Sequence, residues 1–246
     1  MTILTAKALA STLKTLGTPE KAKASAWFFK TGKGHYGYGD IFWGVTVPEQ
    51  RLVAKEFAAL PLHEIHALLG SKIHECRLTA LFILVRWYET STEAAREKIA
   101  RHYLSHLDRV NNWDLVDSSA PHILGRHILR GDRFILYKLV RSENMWHRRI
   151  AIISTFTFIR QGEYADTLKI AEMLLGDPHD LIHKATGWML REVGNRSVQA
   201  LEHFLKKYAG RMPRTMLRYA IEKFPENKRK MYLIRGPGRA ARKFSD

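Results

Sequence analysis

The sequence predicts an all-α fold, specifically a right-handed superhelical solenoid of antiparallel helix pairs with a concave basic face. Apolar residues recur at spacings of three and four along most of the chain, which is the period of an amphipathic helix. From Pro48 onward, short amphipathic segments follow one another in pairs, separated by small or polar turns. No stretch alternates apolar and polar residues between hairpin turns, as a half-buried sheet would require.

Two helices are predicted before the repeated pairs begin. The first covers residues 5–16, where leucines share one face, and it stops at Gly17-Thr18-Pro19. The second covers residues 19–30 and ends in the aromatic cluster Trp27-Phe28-Phe29. Residues 31–40 form a Gly-rich loop that lacks the Lys-Ser/Thr ending of a phosphate-binding loop. A loop that contacts DNA and a plain connector remain equally open for this segment.

The second helix of each pair is predicted to begin at an equivalent, mostly basic position. These positions are Arg77, Asp117, Arg149, Lys184 and Arg214. Their separations of about 30 to 40 residues are typical of helical repeats. The apolar runs that follow them match in character but not in letters, so the repeats are degenerate and HEAT-like. Because equivalent positions of stacked repeats point the same way, we expect these residues to line the inner surface.

The composition favours a polyanionic partner. Forty Lys and Arg against twenty-four Asp and Glu give a formal net charge of +16. Such a charge steers association with nucleic acid first and with an acidic membrane surface second. Basic residues are concentrated at the C-terminal end, so we predict a single repeat domain over 1–234 and a flexible basic tail over 235–246.

Cysteine usage and hydropathy indicate the compartment. Cys76 is the only cysteine, so no internal disulfide is expected, and no Cys/His cluster has zinc spacing. The N-terminus lacks the apolar run of a signal peptide, and no stretch is long enough to cross a bilayer. We expect a cytoplasmic monomer that uses no metal or cofactor and no membrane.

The stretch 111–125 carries the most distinctive side-chain pair. In a helix, Trp113 and Asp117 share a face because they are four residues apart, while neighbouring apolar residues supply the packing stripe. In a basic chain, a carboxylate beside an indole suits a cationic ligand or a positively charged transition state. The alternative is a packing tryptophan beside an ion-paired aspartate, and on this pair alone we favour that alternative.

Three motifs resemble one family. Trp-Asp-Leu-Val-Asp-Ser-Ser-Ala at 113–120 is similar to the central motif of the DNA alkylation repair glycosylases of the AlkD type, which remove positively charged alkylated purines from DNA. Trp-His-Arg-Arg-Ile-Ala at 146–151 and Lys-Ala-Thr-Gly-Trp-Met-Leu-Arg-Glu at 184–192 resemble two further motifs in the same order. The resemblance covers roughly residues 35–225 and implies a nucleoid-associated, bacterial-type protein whose partner is duplex DNA containing alkylated bases.

The resemblance also implies roles for individual residues. Asp117 would be the catalytic carboxylate, with Trp113 and Trp188 flanking the lesion nucleotide. Arg149 matches the arginine that holds a phosphate near the lesion, although the adjacent Arg148 leaves that assignment open by one position. Helical spacing, rather than the resemblance, places Lys184 and Arg191 on one face with Trp188, a basic-aromatic strip suited to nucleic acid. Arg77 and Arg214, as basic repeat positions, would add contacts to DNA.

A second function class stays open at this point. A HEAT-like array can serve as a non-catalytic nucleic-acid-binding or scaffold protein, because fold alone does not imply chemistry. The presence of both tryptophans, the aspartate and the arginine favours the glycosylase.

Overall fold

A computed structural model gives the structure of residues 4–235. Over this range the protein is all-helical, and the extended pairing is limited to an isolated bridge between Ile41 and Ile73. The all-α prediction is therefore confirmed. Packing divides the chain into two compact units, Met1–Leu124 and Gly125–Asp246. The single-domain organisation, the handedness of the superhelix and its basic concave face stay predictions, and residues 236–246 of the predicted tail lie outside the described residues.

The first unit contains α1 (Ala6–Leu16), α2 (Pro19–Phe28), α3 (Val47–Glu56), α4 (Leu62–Leu69), α5 (His74–Thr90), α6 (Glu93–Leu104) and α7 (Trp113–Ser119). The side chain of Thr5 caps α1 by accepting from the N–H of Ala8. Thr18 caps α2 in the same way, with Pro19 at the first helical position. These local signals explain why both helices lie close to their predicted bounds.

Helix α5 is the core of the first unit. Every residue from His74 to Leu84 is buried, because α3, α4, α6 and α7 pack around this helix. Its apolar run over residues 78–84 has no polar face for solvent, which is the pattern of a fully covered helix.

A π-helical turn, Pro121–Gly125, follows α7. The second unit contains α8 (Phe134–Leu139), α9 (Met145–Ser154), α10 (Phe156–Arg160), α11 (Ala165–Met173), α12 (Asp180–Arg196), α13 (Val198–Tyr208), α14 (Arg214–Ala220) and α15 (Glu226–Arg235). Helix α12 is central, with α9, α10, α11, α13 and α14 against it. Gly187 permits the close approach of α14, since a Cβ there would lie 2.5 Å from the carbonyl oxygen of Met216. No helix among residues 4–235 is long and apolar enough to span a membrane.

The predicted starts of the second helices need correction. Arg77, Asp117, Arg149 and Lys184 lie inside their helices, three or four residues after the first, and only Arg214 begins one. For α7 and α9 the reason is capping: Asn112 and Asn144 accept hydrogen bonds from the first-turn amides and so fix earlier starts.

Candidate active site

The position of α7 is fixed by a buried asparagine. The Oδ1 of Asn112 accepts from the backbone N–H of Trp113 at 2.8 Å, and its Nδ2 donates to Asp40 at 3.0 Å. Because the cap fixes the first turn, Leu115 and Val116 face the core, while Asp117 stays half-buried on another face.

Trp113 takes part in packing as well as reaching the surface. Its half-buried indole stacks on Phe29, with ring centroids 5.2 Å apart and planes at 11°. The ring of Phe28 meets it edge-on at 5.9 Å. The apolar stripe of α7 is therefore not its only packing surface, because α2 supplies two aromatic partners for Trp113 that periodicity within α7 does not reveal.

Asp117 lines a cavity of about 480 Å³ within the first unit. The walls come from α3, α5, α7 and the π-helical turn: Arg51, Ala54, Lys55, Phe82, Val85, Arg86, Glu89, Ser118 and His122 line it with Asp117. Its volume lies in the range of about 300–1,000 Å³ that is usual for ligand sites. The sequence motif and the cavity thus meet at the same carboxylate.

Three cations surround this carboxylate-containing cavity. Arg51 and Lys55 are exposed on one face of α3, four residues apart, and Arg86 is exposed on α5. The guanidinium of Arg51 lies 4.1 Å from the centre of the Phe82 ring, which holds it at the wall. These three residues were not predicted from the sequence, although the four-residue spacing of Arg51 and Lys55 was a usable signal.

The cavity also contains a second carboxylate, paired with a histidine. The Oε1 of Glu89 lies 3.6 Å from Nδ1 of His122.

Behind the site, Tyr103 is fully buried and shares a 2.9 Å hydrogen bond with Ser119. Burial raises the pKa of Tyr103, the Ser119 bond opposes that shift, and the negative charge of Asp117 adds to it. The phenol therefore stays neutral beneath the charged carboxylate.

Trp188 lies in the second unit, on α12. Its half-buried indole N–H donates to Glu192 at 3.2 Å, and its ring lies 5.9 Å from that of Phe156. Acidic partners accompany the neighbouring cations, since Lys184 pairs with Asp180 at 2.7 Å and Arg191 pairs with Glu222. The predicted basic strip beside Trp188 is thus partly neutralised by carboxylates within the same unit.

The two adjacent arginines of α9 have different environments. Arg148 donates to Asp177 at 2.6 Å and to the carbonyl oxygens of Ser142 and Glu143, so its guanidinium fastens two loops. Arg149 is only 5% exposed, and its Nη1 donates to the carbonyl oxygen of Leu181 at 2.6 Å. Both guanidinium groups are thus bonded to other groups of the protein, and the phosphate contact of Arg149 stays a prediction.

The other two predicted DNA contacts differ in exposure. Arg214 is exposed, and its Nη1 donates to the carbonyl oxygen of Leu233 at 2.5 Å, which joins α14 to α15. Arg77 is only 3% exposed, and it donates to Asp40 at 2.6 Å and to the carbonyl oxygen of Ser71 at 3.0 Å. The prediction that Arg77 contacts DNA is corrected, because its charge is already compensated inside the protein.

A buried polar network that was not predicted from the sequence surrounds Arg77. His74 bridges two carboxylates, with Nδ1 2.9 Å from Asp40 and Nε2 2.8 Å from Asp114. Burial opposes ionisation of Asp40, but hydrogen bonds from His74 and Asn112 and the charge of Arg77 lower its pKa. Burial also opposes the charged form of His74, yet the bonds to Asp114 and Asp40 raise its pKa to about 9. This network connects α5 to the first turn of α7.

The fold and this site define a class: an all-helical repeat protein whose first unit carries a carboxylate in a cation-walled cavity. The family model for the DNA alkylation repair enzyme matches residues 9–224. The chain belongs to that family.

Solved structures with the same fold are distant in sequence. A predicted DNA alkylation repair enzyme from Enterococcus faecalis has a TM-score of 0.68 at 18% identity, covering 85% of this chain and 97% of its own. AlkD2 from Streptococcus mutans has a TM-score of 0.52 at 13% identity, covering 90% and 97%. The protein smu.31 from Streptococcus mutans has a TM-score of 0.50 at 14% identity, covering 89% and 98%. The curated proteins contain no significant match.

Proposed function

We propose that this protein is a DNA glycosylase that hydrolyses the N-glycosidic bond of cationic alkylated purines, of the 3-methyladenine and 7-methylguanine type, in duplex DNA. The observation that carries the proposal is the position of Asp117, a half-buried carboxylate in a cavity that Arg51, Lys55 and Arg86 also line. The other carboxylate of the cavity, Glu89, is exposed and lies beside His122. Cations suit a phosphodiester backbone, whereas a carboxylate in their midst works against binding DNA. Its presence is best explained by chemistry that develops positive charge.

The proposed reaction needs a stabilising anion rather than an acid. The damaged base is already cationic, so when the bond from C1′ breaks, the base keeps the electron pair and leaves as a neutral molecule. Positive character then develops on the sugar, and a fixed carboxylate stabilises it and can orient the attacking water. Water then adds at C1′ and loses a proton. The product is DNA with an abasic site. Asp117 is the residue to which we assign this role.

Aromatic and cationic residues complete the proposed site. The half-buried ring of Trp113 is held by Phe28 and Phe29, so its orientation is fixed before substrate arrives. An indole face attracts a cationic base by about 0.5–2 kcal/mol. By family resemblance, Trp188 is the second aromatic residue at the lesion nucleotide, and Arg149 contacts a phosphate near it.

One assay tests the proposal. Release of methylated bases from alkylated duplex DNA is measured for the wild type and Asp117→Asn. We expect a loss of roughly 10²- to 10³-fold, the usual effect of removing one electrostatic stabiliser. Glu56→Gln is the matched control, since it also removes one negative charge but alters an exposed residue of α3 outside the cavity.

The outcomes separate two function classes. Equal release by the wild type and Asp117→Asn, with both proteins folded, would remove Asp117 from the mechanism. Tight DNA binding by a wild type that releases no base would instead indicate a non-catalytic nucleic-acid-binding protein.

A further inference from the structure

Two large aromatic side chains are exposed at the end of α2. Trp27 is 82% exposed and Phe28 is 56% exposed. Phe28 also touches Trp113 edge-on, whereas Phe29 turns inward and stacks on Trp113 and on Phe42. The outward pair is therefore not required to fill the core, and it continues the aromatic surface that begins at Trp113.

The Gly-rich loop folds back against this pair. Lys30 adopts a left-handed backbone conformation, with φ at 53°, and reverses the chain directly after α2. Thr31 then bonds to the carbonyl oxygen of Ala26 through both its N–H at 3.1 Å and its hydroxyl at 3.2 Å. Gly37 packs so closely that a Cβ there would lie 2.2 Å from the carbonyl oxygen of Phe29. These contacts hold the loop beside the rings.

A second cavity, of about 530 Å³, lies between the helix end and the loop. It is lined by Ala26, Trp27, Phe28, Lys30, Thr31, Gly32 and His35. The volume is within the usual range of ligand sites. Trp27 and Phe28 give it aromatic lining, and residues 30–35 contribute one ammonium, one imidazole and one hydroxyl group.

The charge around this cavity has a single sign. Among the lining residues, Lys30 is basic, His35 is potentially basic and none is acidic. Exposed aromatic rings interleaved with cations are the arrangement by which proteins stack unpaired bases and neutralise the phosphates beside them. A purely apolar partner would offer no counter-charge to Lys30 at the cavity wall.

We propose that the cavity between Trp27 and the loop 30–35 is a second base-binding site, which takes one unstacked nucleobase of the DNA strand and its phosphate. Trp27 stacks on the base, and Lys30 contacts the phosphate. The inference rests on the proposed function for its choice of DNA as partner. It adds a binding site beyond the lesion position, on the side of Trp113 that Phe28 covers.

The test uses two probes that differ only in their bases. One is a fluorescein-labelled oligodeoxyadenylate about 12 nucleotides long, within the usual site size for single strands. The other has the same length and phosphates but abasic tetrahydrofuran residues throughout. Binding is followed by fluorescence anisotropy for the wild type, Trp27→Ala, Lys30→Gln and the control Phe134→Ala, which removes a 67% exposed ring of the second unit.

Stacking predicts a base-dependent loss. Trp27→Ala should bind the oligodeoxyadenylate roughly tenfold more weakly, as expected for one lost base–aromatic stack, and the abasic probe with less than about a twofold change. Lys30→Gln should weaken both probes, because both carry phosphates. Phe134→Ala should match the wild type on both, and the melting temperatures of all four proteins should agree within a few degrees.

Contrary results have distinct meanings. Unchanged binding of the oligodeoxyadenylate by Trp27→Ala, or equal losses on both probes, would overturn the base-binding site. If the wild type still releases methylated bases in that case, the proposed glycosylase function stands without it. Base-dependent loss in Trp27→Ala with no base release by the wild type would leave the site standing and refute the glycosylase.

Discussion

His74 Nε2 lies 2.8 Å from Oδ2 of Asp114, the residue that follows Trp113 at the start of α7. Its other ring nitrogen faces Asp40, so both nitrogens must donate and the imidazole is held as a cation between two carboxylates. The helix that carries Asp117 is thus held to α5 by the hydrogen bond from protonated His74 to Asp114.

The first prediction concerns the pH dependence of stability. Because the folded pKa of His74 is raised from 6.5 to about 9, its stabilisation is fully present below pH 6.5 and is lost as the pH rises through about 9. The free energy of unfolding should fall across this window by up to about 1.4 kcal/mol per pH unit. Urea denaturation of the wild type at pH 6–9.5 checks this, and His74→Asn should show a flatter profile. A flat wild-type profile would contradict the network.

The second prediction concerns Glu75, which is buried on α5. Its carboxylate accepts from the backbone N–H groups of Trp43, Gly44 and Val45 at 2.8–3.3 Å. Glu75→Ala leaves these amides without their acceptor, so the free energy of unfolding should fall by about 3 kcal/mol or more. Chemical denaturation measures this, with the exposed Glu56→Ala as the control expected to stay within about 0.5 kcal/mol. Similar losses in both variants would refute the role of Glu75.

The third prediction compares two glycines of α12. A Cβ at Gly187 would lie 2.5 Å from a backbone oxygen of α14, whereas one at Gly194 would meet only the flexible Leu201 side chain. Gly187→Ala should therefore lower the free energy of unfolding by roughly 1–3 kcal/mol despite the better helix propensity of alanine. Gly194→Ala should be near neutral, because Leu201 can move. Thermal melts that rank the two variants in the opposite order would contradict the packing argument.

Local sequence signals explain which elements were predictable. Thr5 and Thr18 indicate where their helices begin, because each side chain accepts a hydrogen bond from a backbone N–H only three residues later. Arg77 was misassigned because its partner, Asp40, lies 37 positions away in a loop that looks solvated in sequence. His74 was not predicted for a similar reason, since its two carboxylate partners lie 34 and 40 positions away in different segments. Residue types and their spacing indicate which residues share a face of a helix. Only tertiary packing decides whether that face is exposed to solvent or buried.

Asp117 was predictable from a local motif, although the cavity around it was not. The resemblance of its motif singled it out without any knowledge of its neighbours, whereas the Trp–Asp spacing alone favoured a packing role. Its cation-walled cavity was not predictable as a unit, because α3, α5 and α7 each contribute lining residues. A search for basic residues at four-residue spacing finds Arg51 and Lys55, yet nothing in the sequence brings Arg86 beside them.

The last prediction tests whether that cavity faces a phosphodiester backbone. Lys55 is exposed on α3 and lines the cavity that contains Asp117. If its ammonium neutralises one phosphate, Lys55→Ala should weaken duplex binding. The negative slope of log affinity against log salt should also become shallower by about 0.9. Lys98→Ala is the matched control, because Lys98 is exposed on α6 and does not line the cavity. It should keep the wild-type slope.

Asp117→Asn should move affinity in the opposite direction to Lys55→Ala, since it removes a negative charge from the same surface. Titrations of labelled duplex at several salt concentrations measure all three variants. Equal slopes for Lys55→Ala and Lys98→Ala would place the DNA-binding surface elsewhere and leave Asp117 without the neighbouring phosphates on which its proposed role depends.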